Sequence, residues 1–149
     1  MPKADISRIE PRTSSSYPEE HRAPLEGRKA WILTGEFGLS QFGINRVELA
    51  PGAWSTQRHW HSRNDEAVIV VEGELWLVTD AGEERLVAGD CAAFKAGEPD
   101  AHHLQNRSDR PAVFFDIGGR DPWDKSTFPD IGMEARTMMR VQFRAVKGT

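Results

Sequence analysis

Two histidines and one glutamate lie close together in the segment 52–73. His59 and His61 are two residues apart, and because side chains alternate faces along an extended strand, both imidazoles project the same way. After a short polar turn, Glu66 begins an apolar run that is typical of a buried strand returning beside the first one. The spacing therefore predicts a β-hairpin that presents two nitrogen ligands and one oxygen ligand to a single metal ion.

A fourth candidate ligand lies downstream, in the segment 89–106, which contains His102 and His103. Four of the five histidines of the chain fall in these two segments. Adjacent residues in a strand point to opposite faces, so we expect one of these two histidines at the metal and the other away from it. The strand pattern alone leaves both choices open.

The first segment resembles the first motif of the cupin family, in which a glycine precedes His-x-His, a glutamate follows and a second glycine closes the motif. Gly52, His59, His61, Glu66 and Gly73 occupy these places, with one extra residue between Gly52 and His59. The resemblance implies that both histidines and the glutamate are metal ligands.

The second segment resembles the family's second motif, which ends in Pro-x-Gly-x-x-His-x-x-x-Asn. Lys95 stands where the family usually has proline, and two additional residues separate Gly97 from the histidine. Counting back from Asn106, the resemblance implies that His102 is the fourth ligand and that His103 is its neighbour. Asn106 itself is expected to brace a turn rather than to contact substrate.

Many short apolar runs separated by glycine-rich turns, with almost no helical period, predict an all-β fold of the sandwich or barrel class. The resemblance covers about residues 42–118 and implies the double-stranded β-helix, or jelly-roll barrel, of the cupins. We expect three parts: an extended N-terminal arm (1–29), the barrel (30–118) and a C-terminal extension (119–149). The predicted strands lie at 31–33, 42–49, 53–61, 66–72, 74–78, 86–87, 91–94, 102–106 and 112–117.

The sequence leaves alternatives open for the two flanking segments. The arm is rich in Pro, Ser, Arg and Glu and has no sustained apolar period, so it is either a disordered tail or an arm that crosses onto a second subunit. The extension carries apolar residues that need a surface to cover, on the barrel or on a neighbouring subunit: Phe128, Ile131, Met133, Met138, Met139 and Phe143. A lid over the functional site is the remaining alternative.

Gln57 and Cys91 lie beside the two motifs. In a regular strand Gln57 shares the face of His59, two residues later, so we expect it to face the metal cavity and to orient the substrate as a catalytic residue. Cys91 begins a short apolar run directly after a Gly-Asp turn. We predict that it is a small buried hydrophobic residue rather than a nucleophile.

The composition excludes several classes of partner. The 149 residues carry a formal net charge of −4 without long basic runs, which provides no electrostatic surface for nucleic acid. No apolar stretch reaches the length of a membrane span or a signal core, and a single cysteine cannot form an internal disulfide, so a reducing cytoplasm is the expected location. Trp54 and Trp60 lie on the face of their predicted strand opposite the histidines. Together with the long arm and the apolar extension, they give one subunit more apolar surface than a small barrel can hide, so we predict a homodimer.

The predicted ligands determine the chemistry that we expect. Three imidazoles and one carboxylate suit one divalent ion of Fe, Mn, Ni, Zn or Cu per chain, and the ligand types do not choose among these metals. Four protein ligands around an octahedral ion leave two positions for water, O₂ or a bidentate substrate. The leading hypothesis is therefore an enzyme that performs metal-assisted dioxygenase-, isomerase- or decarboxylase-type chemistry on a small oxygenated molecule.

Two other classes of function stay open. The first is a non-catalytic small-molecule sensor or carrier that uses the same pocket. The second is a metal-free enzyme that works through a histidine and a tyrosine, as sugar epimerases of this fold do, and for which Tyr17 is the single tyrosine of the chain. Finding stoichiometric metal would exclude this second class.

Overall fold

The computed structural model describes residues 2–137 and 141–148. Within these ranges the chain consists mainly of strands and loops, so the predicted all-β class is confirmed. The helical segments are short 3-10 turns: Ile6–Arg8, Glu19–His21, Ala23–Leu25, Thr34–Phe37 and Pro129–Ile131. None of the described helices is long and apolar enough to cross a membrane. The strands are β1 (Arg28–Ile32), β2 (Phe42–Leu49), β3 (Trp60–His61), β4 (Glu66–Glu72), β5 (Glu74–Thr79), β6 (Gly82–Val87), β7 (Cys91–Phe94), β8 (His103–Gln105), β9 (Ala112–Gly119), β10 (Lys125–Phe128), β11 (Met133–Thr137) and β12 (Val141–Ala145).

The described strands form three antiparallel sheets. Their orders are β1-β2-β9-β4-β7, β6-β5-β8 and β12-β11-β10-β3. The inward side chains of the first two sheets meet in one apolar core, because alternate residues of each strand face the opposite sheet. The larger members of this core are Val47, Leu49, Val68, Val70, Leu75, Leu77, Leu86, Leu104 and Phe114. This face-to-face packing of two sheets is the jelly-roll barrel that the sequence predicts.

Gly73 allows the chain to pass from the first sheet to the second. Its φ is 76°, in the left-handed region that side chains disfavour. A Cβ atom at this position would lie 2.9 Å from the carbonyl oxygen of Pro111, closer than a methyl group tolerates. Glycine is therefore required where β4 ends and β5 begins in the other sheet.

The predicted strand at 53–61 is regular over its last two residues alone, in β3. Before β3, Trp54 and His59 form isolated antiparallel bridges with Gln105 and His102. The backbone bends at 55–58, between the two bridges. The prediction of one continuous strand is therefore wrong, because the chain leaves its partner strand between two points of contact. The predicted β-hairpin is wrong as well, because β3 pairs with β10 whereas β4 pairs with β7 and β9 in another sheet.

The N-terminal arm lies on its own barrel. Arg12 forms an antiparallel bridge with Ala30 of β1. Tyr17 is only 6% exposed and packs against the rings of Phe128 and Phe143, with centroids 5.4 and 5.0 Å away. The alternative of a disordered tail is therefore wrong for the described residues 2–29.

The C-terminal extension supplies most of the third sheet. Strands β10, β11 and β12 extend from β3, and Ile131 and Met133 pack against the cluster formed by Tyr17 and Phe128. The extension thus covers its own barrel, which is one of the two surfaces expected for it. Met138 and Met139 lie outside the described residues.

Cys91 is exposed, so the prediction of a buried cysteine is wrong. It is the first residue of β7, which is an edge strand of the five-stranded sheet. Its neighbour Ala92 packs against the core. Because successive side chains alternate, Cys91 projects from the opposite face of the sheet.

Candidate metal centre

The carboxylate of Glu66 brings three imidazoles together. Its Oε2 lies 3.1 Å from Nε2 of His61 and 3.8 Å from Nε2 of His59. Its Oε1 lies 2.8 Å from Nε2 of His102. Potential ligand atoms of His59, His61 and Glu66 all lie within 4.8 Å of one another. Three imidazole nitrogens therefore surround one carboxylate.

Backbone pairing produces this convergence. His59 and His102 face each other across an isolated bridge, with N–H···O distances of 3.1 and 3.0 Å in the two directions. His61 pairs with Ser126 of β10, and Glu66, at the start of β4, pairs with Phe94 of β7. The ring of Phe94 stacks on that of His102, with centroids 3.4 Å apart, and holds its plane.

A second layer of hydrogen bonds orients two of the imidazoles. Nδ1 of His61 lies 2.7 Å from Oδ2 of Asp124, a carboxylate that is 1% exposed. Nδ1 of His59 lies 3.0 Å from the carbonyl oxygen of Gln57. Because both acceptors hold a proton on Nδ1, loss of the proton from Nε2 would leave a lone pair that points toward Glu66 and can bind a metal. No sequence pattern marked Asp124, which lies in a polar loop with no motif around it.

The charges within the centre are strongly coupled. Burial opposes ionisation of Glu66, but hydrogen bonds from the three histidines hold its pKa well below the ordinary value. Burial likewise opposes a charge on His61, but hydrogen bonds to Asp124 and Glu66 raise its pKa to about 10. Without metal, His61 is therefore an imidazolium at neutral pH, and a bound metal ion must displace that proton.

His103 lies outside the group of donors around Glu66. Its Nδ1 lies 2.8 Å from the carbonyl oxygen of Thr56, and its ring meets Trp54 edge to face at 4.7 Å. Burial lowers its pKa to about 4, so the imidazole is neutral. Of the two neighbouring histidines, His102 contacts Glu66.

Asn106 braces a turn, as predicted. Its side chain is 1% exposed, and its Nδ2 donates to the carbonyl oxygens of Leu49 and Arg110 at 2.9 and 2.7 Å. Its Oδ1 accepts a hydrogen bond from the backbone N–H of Ser108 at 3.0 Å. These bonds tie the loop after β8 to the end of β2.

The position predicted for Gln57 is wrong. Its Nε2 donates to the carbonyl oxygen of His21 at 2.9 Å, so the side chain points to the N-terminal arm. Gln57 is absent from the described residues that line the cavity at the metal centre. The bends at 55–58 break the alternation of faces on which the prediction rested. Gln57 contributes through its backbone carbonyl, which orients His59.

The metal centre opens into a cavity of about 220 Å³. Its walls are partly apolar, with Val68, Leu104, Phe114 and Phe128 among them. Its polar lining residues include three that are outside the predicted ligand set: Tyr17, Arg28 and Asp116. For Asp116 a signal existed, since it is the single charged residue in the predicted strand at 112–117. Tyr17 and Arg28 come from the arm and the start of β1, where no local pattern marked them.

Asp116 and Tyr17 can exchange or donate protons in this cavity. Burial, together with the charge of Glu66, raises the pKa of Asp116 to about 7. Its buried Oδ1 has no hydrogen-bond partner among the described residues. The Tyr17 hydroxyl accepts a hydrogen bond from the backbone N–H of Gln57 at 3.2 Å, and burial raises its pKa, so it stays protonated.

Known proteins share this fold and sequence. A model of the cupin domain family matches residues 45–118. The chain superimposes on the crystal structure of a sugar phosphate isomerase from a cupin superfamily, from Silicibacter pomeroyi, with a TM-score of 0.93 and 43% identity over 99% of this chain and 94% of that chain. The polyketide cyclase RemF of Streptomyces resistomycificus, 18% identical, shares the fold with a TM-score of 0.67 over 81% of this chain and 80% of that chain.

A curated relative extends the match at the level of sequence. The tetracenomycin polyketide synthase protein TcmJ of Streptomyces glaucescens is 29% identical over 109 residues, which are 72% of this chain and 70% of that protein. The family model covers both histidine-containing segments, and the Silicibacter pomeroyi protein matches nearly the whole chain. The chain therefore belongs to the cupin superfamily.

Proposed function

We propose that this protein is a metal-dependent enzyme that acts on a small oxygenated molecule. The observation that carries the proposal is the convergence of His59, His61 and His102 on the carboxylate of Glu66, with N···O distances of 2.8 to 3.8 Å, at the wall of a cavity. These four residues would hold one divalent ion.

The donor set fits such an ion. Asp124 and the Gln57 carbonyl oxygen hold the Nδ1 protons of His61 and His59, which leaves the Nε2 lone pairs for the metal. Imidazole and carboxylate together suit Fe, Mn, Ni, Zn or Cu. When bound, the ion would act as a Lewis acid and polarise an oxygen atom of the substrate.

Among the reaction types that suit this centre, we favour isomerase-type proton transfer. Isomerisation of a hydroxy carbonyl compound moves one proton from the carbon that bears the hydroxyl to the carbonyl carbon, and another from the hydroxyl to the carbonyl oxygen. It therefore consumes no oxidant. Asp116 lines the same cavity, carries an Oδ1 with no hydrogen-bond partner among the described residues and has a pKa of about 7, so it can take and return a proton at neutral pH.

Tyr17 supports the same assignment. Its protonated hydroxyl lines the cavity and can donate a hydrogen bond to a substrate oxygen. The similarity to the Silicibacter pomeroyi protein, which is described as a sugar phosphate isomerase, adds support for hydroxy carbonyl substrates.

The test begins with metal analysis of protein purified without a histidine tag, which should contain close to one divalent ion per chain. Metal-loaded protein is then incubated in D₂O, without O₂, with sugar phosphates, uronates, hydroxy acids and diketones. We expect deuterium to enter a carbon-bound position of at least one hydroxy carbonyl compound. Asp116→Asn should abolish this exchange and keep the metal, whereas the exposed Asp109→Asn should change neither.

Other outcomes would point elsewhere. Turnover that requires O₂ would replace the isomerase proposal by dioxygenase chemistry. Tight binding of a compound with neither exchange nor turnover would favour a sensor or carrier. A protein that binds no metal after reconstitution would overturn the metal-dependent proposal as a whole.

A further inference from the structure

Arg28 places a guanidinium beside the metal cavity. It is the first residue of β1 and shares the inward face of that strand with the buried Ala30. Its side chain lines the cavity at the metal centre and also a second recess, again of about 220 Å³. Arg28 therefore lies at the junction between the two spaces.

The guanidinium has no anionic partner in the described part of the protein. Its buried Nε lacks a hydrogen-bond partner there. The negative charge of Asp116 acts on Arg28, but no ion pair within 4.0 Å joins the two side chains. Burial lowers the pKa of Arg28, yet an arginine stays protonated in proteins. A largely desolvated cation without a hydrogen-bonded anion is costly, so an anionic ligand that reached Arg28 would be stabilised there.

The second recess adds neutral hydrogen-bond donors. It shares Tyr17, Arg28, Ser55 and Thr56 with the metal cavity. Its outer wall comes from the arm, at Thr13, Ser14, Ser15 and Ser16. Hydroxyl groups beside a guanidinium form a setting in which carboxylate or phosphate oxygens can be fully hydrogen-bonded.

We propose that Arg28 binds an anionic group of the substrate, a carboxylate or a phosphate, while the other end of the same molecule reaches the metal centre. The inference rests on the proposed function, because it assumes that the cavity holds the reacting part of the substrate. The planar guanidinium can donate two parallel hydrogen bonds to such a group, which fixes its orientation as well as its position. The substrate class is then a small hydroxylated anion rather than a neutral compound.

Three matched probes test this: glycerol 3-phosphate, glycerate and glycerol. Their binding is measured by calorimetry on metal-loaded and metal-free wild-type protein and on Arg28→Met, Arg28→Lys and Arg46→Met. Arg46 is the control, since it lies in β2 outside the described cavity lining, with its guanidinium over the ring of Trp31. Metal content is measured on every sample.

We expect both anions to bind wild-type protein more tightly than glycerol does. Arg28→Met should weaken anion binding by about tenfold or more and leave glycerol unchanged, because a hydrogen bond to a charged group is lost. Arg28→Lys should recover part of the affinity, and Arg46→Met should match wild type. The anion whose affinity decreases more in Arg28→Met carries the group that the site selects, phosphate or carboxylate.

Thermal unfolding separates this role from a structural one. Arg28→Met removes an unpaired buried charge, so without anions its Tm should equal or exceed that of wild type. Glycerol 3-phosphate or glycerate should raise the Tm of wild type and not that of Arg28→Met. A lower Tm for Arg28→Met together with unchanged anion affinity would overturn the inference.

The two proposals fail in different ways. If the metal content is normal but anion affinity does not depend on Arg28, the proposed anion site is wrong. The proposed metal-dependent function is then unaffected. If the protein binds no metal but still binds anions in a way that depends on Arg28, the metal-dependent function is wrong and the anion site is supported.

Discussion

Asp124 Oδ2 lies 2.7 Å from Nδ1 of His61, although 63 residues separate them in the chain. The other oxygen of this carboxylate accepts hydrogen bonds from the backbone N–H groups of Arg63 and Asn64, at 2.9 and 3.2 Å. The loop after β9 thereby holds both the imidazole of His61 and the turn between β3 and β4. One buried carboxylate links the C-terminal extension to the metal centre.

Asp124→Asn should weaken metal binding by about 10- to 100-fold, because the amide cannot stabilise the Nδ1 proton of His61 as a carboxylate does. Competition with a chromogenic chelator measures the change. Asp121→Asn is the matched control, since Asp121 lies in the same loop and accepts from the backbone N–H of Trp123 rather than from His61. Equal affinities for the two variants would show that Asp124 does not position the ligand.

Alanine at His59, His61 or His102 should each weaken metal binding by about tenfold or more, because each substitution removes a nitrogen donor. His103→Asn should have little effect, since His103 contacts Thr56 and Trp54 and not Glu66. Equilibrium dialysis followed by metal analysis provides the measurement. A reversal of His102 and His103 in this series would move the fourth ligand to His103.

The buried neutral His103 should make the protein less stable in acid. Its folded pKa is about 4, below the unfolded value of about 6.5, so between these values the unfolded state binds a proton that the folded state does not. The contribution of neutral His103 to the free energy of unfolding is therefore fully present above pH 6.5. It is lost as the pH decreases toward 4, by about 1.4 kcal/mol per pH unit at most.

Urea unfolding of wild type and His103→Asn across pH 4 to 7 isolates this contribution. Asparagine keeps a side-chain N–H for the carbonyl oxygen of Thr56 and does not titrate. The variant should show the smaller pH slope. Parallel slopes for the two proteins would contradict the predicted neutral state of His103.

The homodimer stays a prediction. Trp54 and Trp60 are half-buried within the chain. The described surface nevertheless exposes other large apolar side chains, among them Phe42 and Val71 of the five-stranded sheet, at 42% and 43%. Burial of such side chains against a second chain would favour association. Light scattering at micromolar concentration should return twice the 16.7 kDa mass of one chain, and a mass of 16.7 kDa would exclude the dimer.

Local sequence was sufficient where the predicted ligands lie close together in the chain. His59, His61 and Glu66 lie within eight residues of each other, and the turn between β3 and β4 brings them together even though these two strands pair in different sheets. Strands at 42–49, 66–72 and 91–94 were likewise predicted at the bounds that the structure has, because apolar runs between glycine and polar turns mark their ends.

The tertiary structure decided the contributions of residues that no motif covers. Gln57 shows the limit of local reasoning, since bends in its own segment turn its side chain toward the arm. Asp124, Arg28 and Tyr17 reach the site from the extension, the first strand and the arm. No periodic pattern or motif around these three residues indicates which strand each will face. Antiparallel pairing and core packing bring these separate parts of the chain to one cavity only when the barrel has closed.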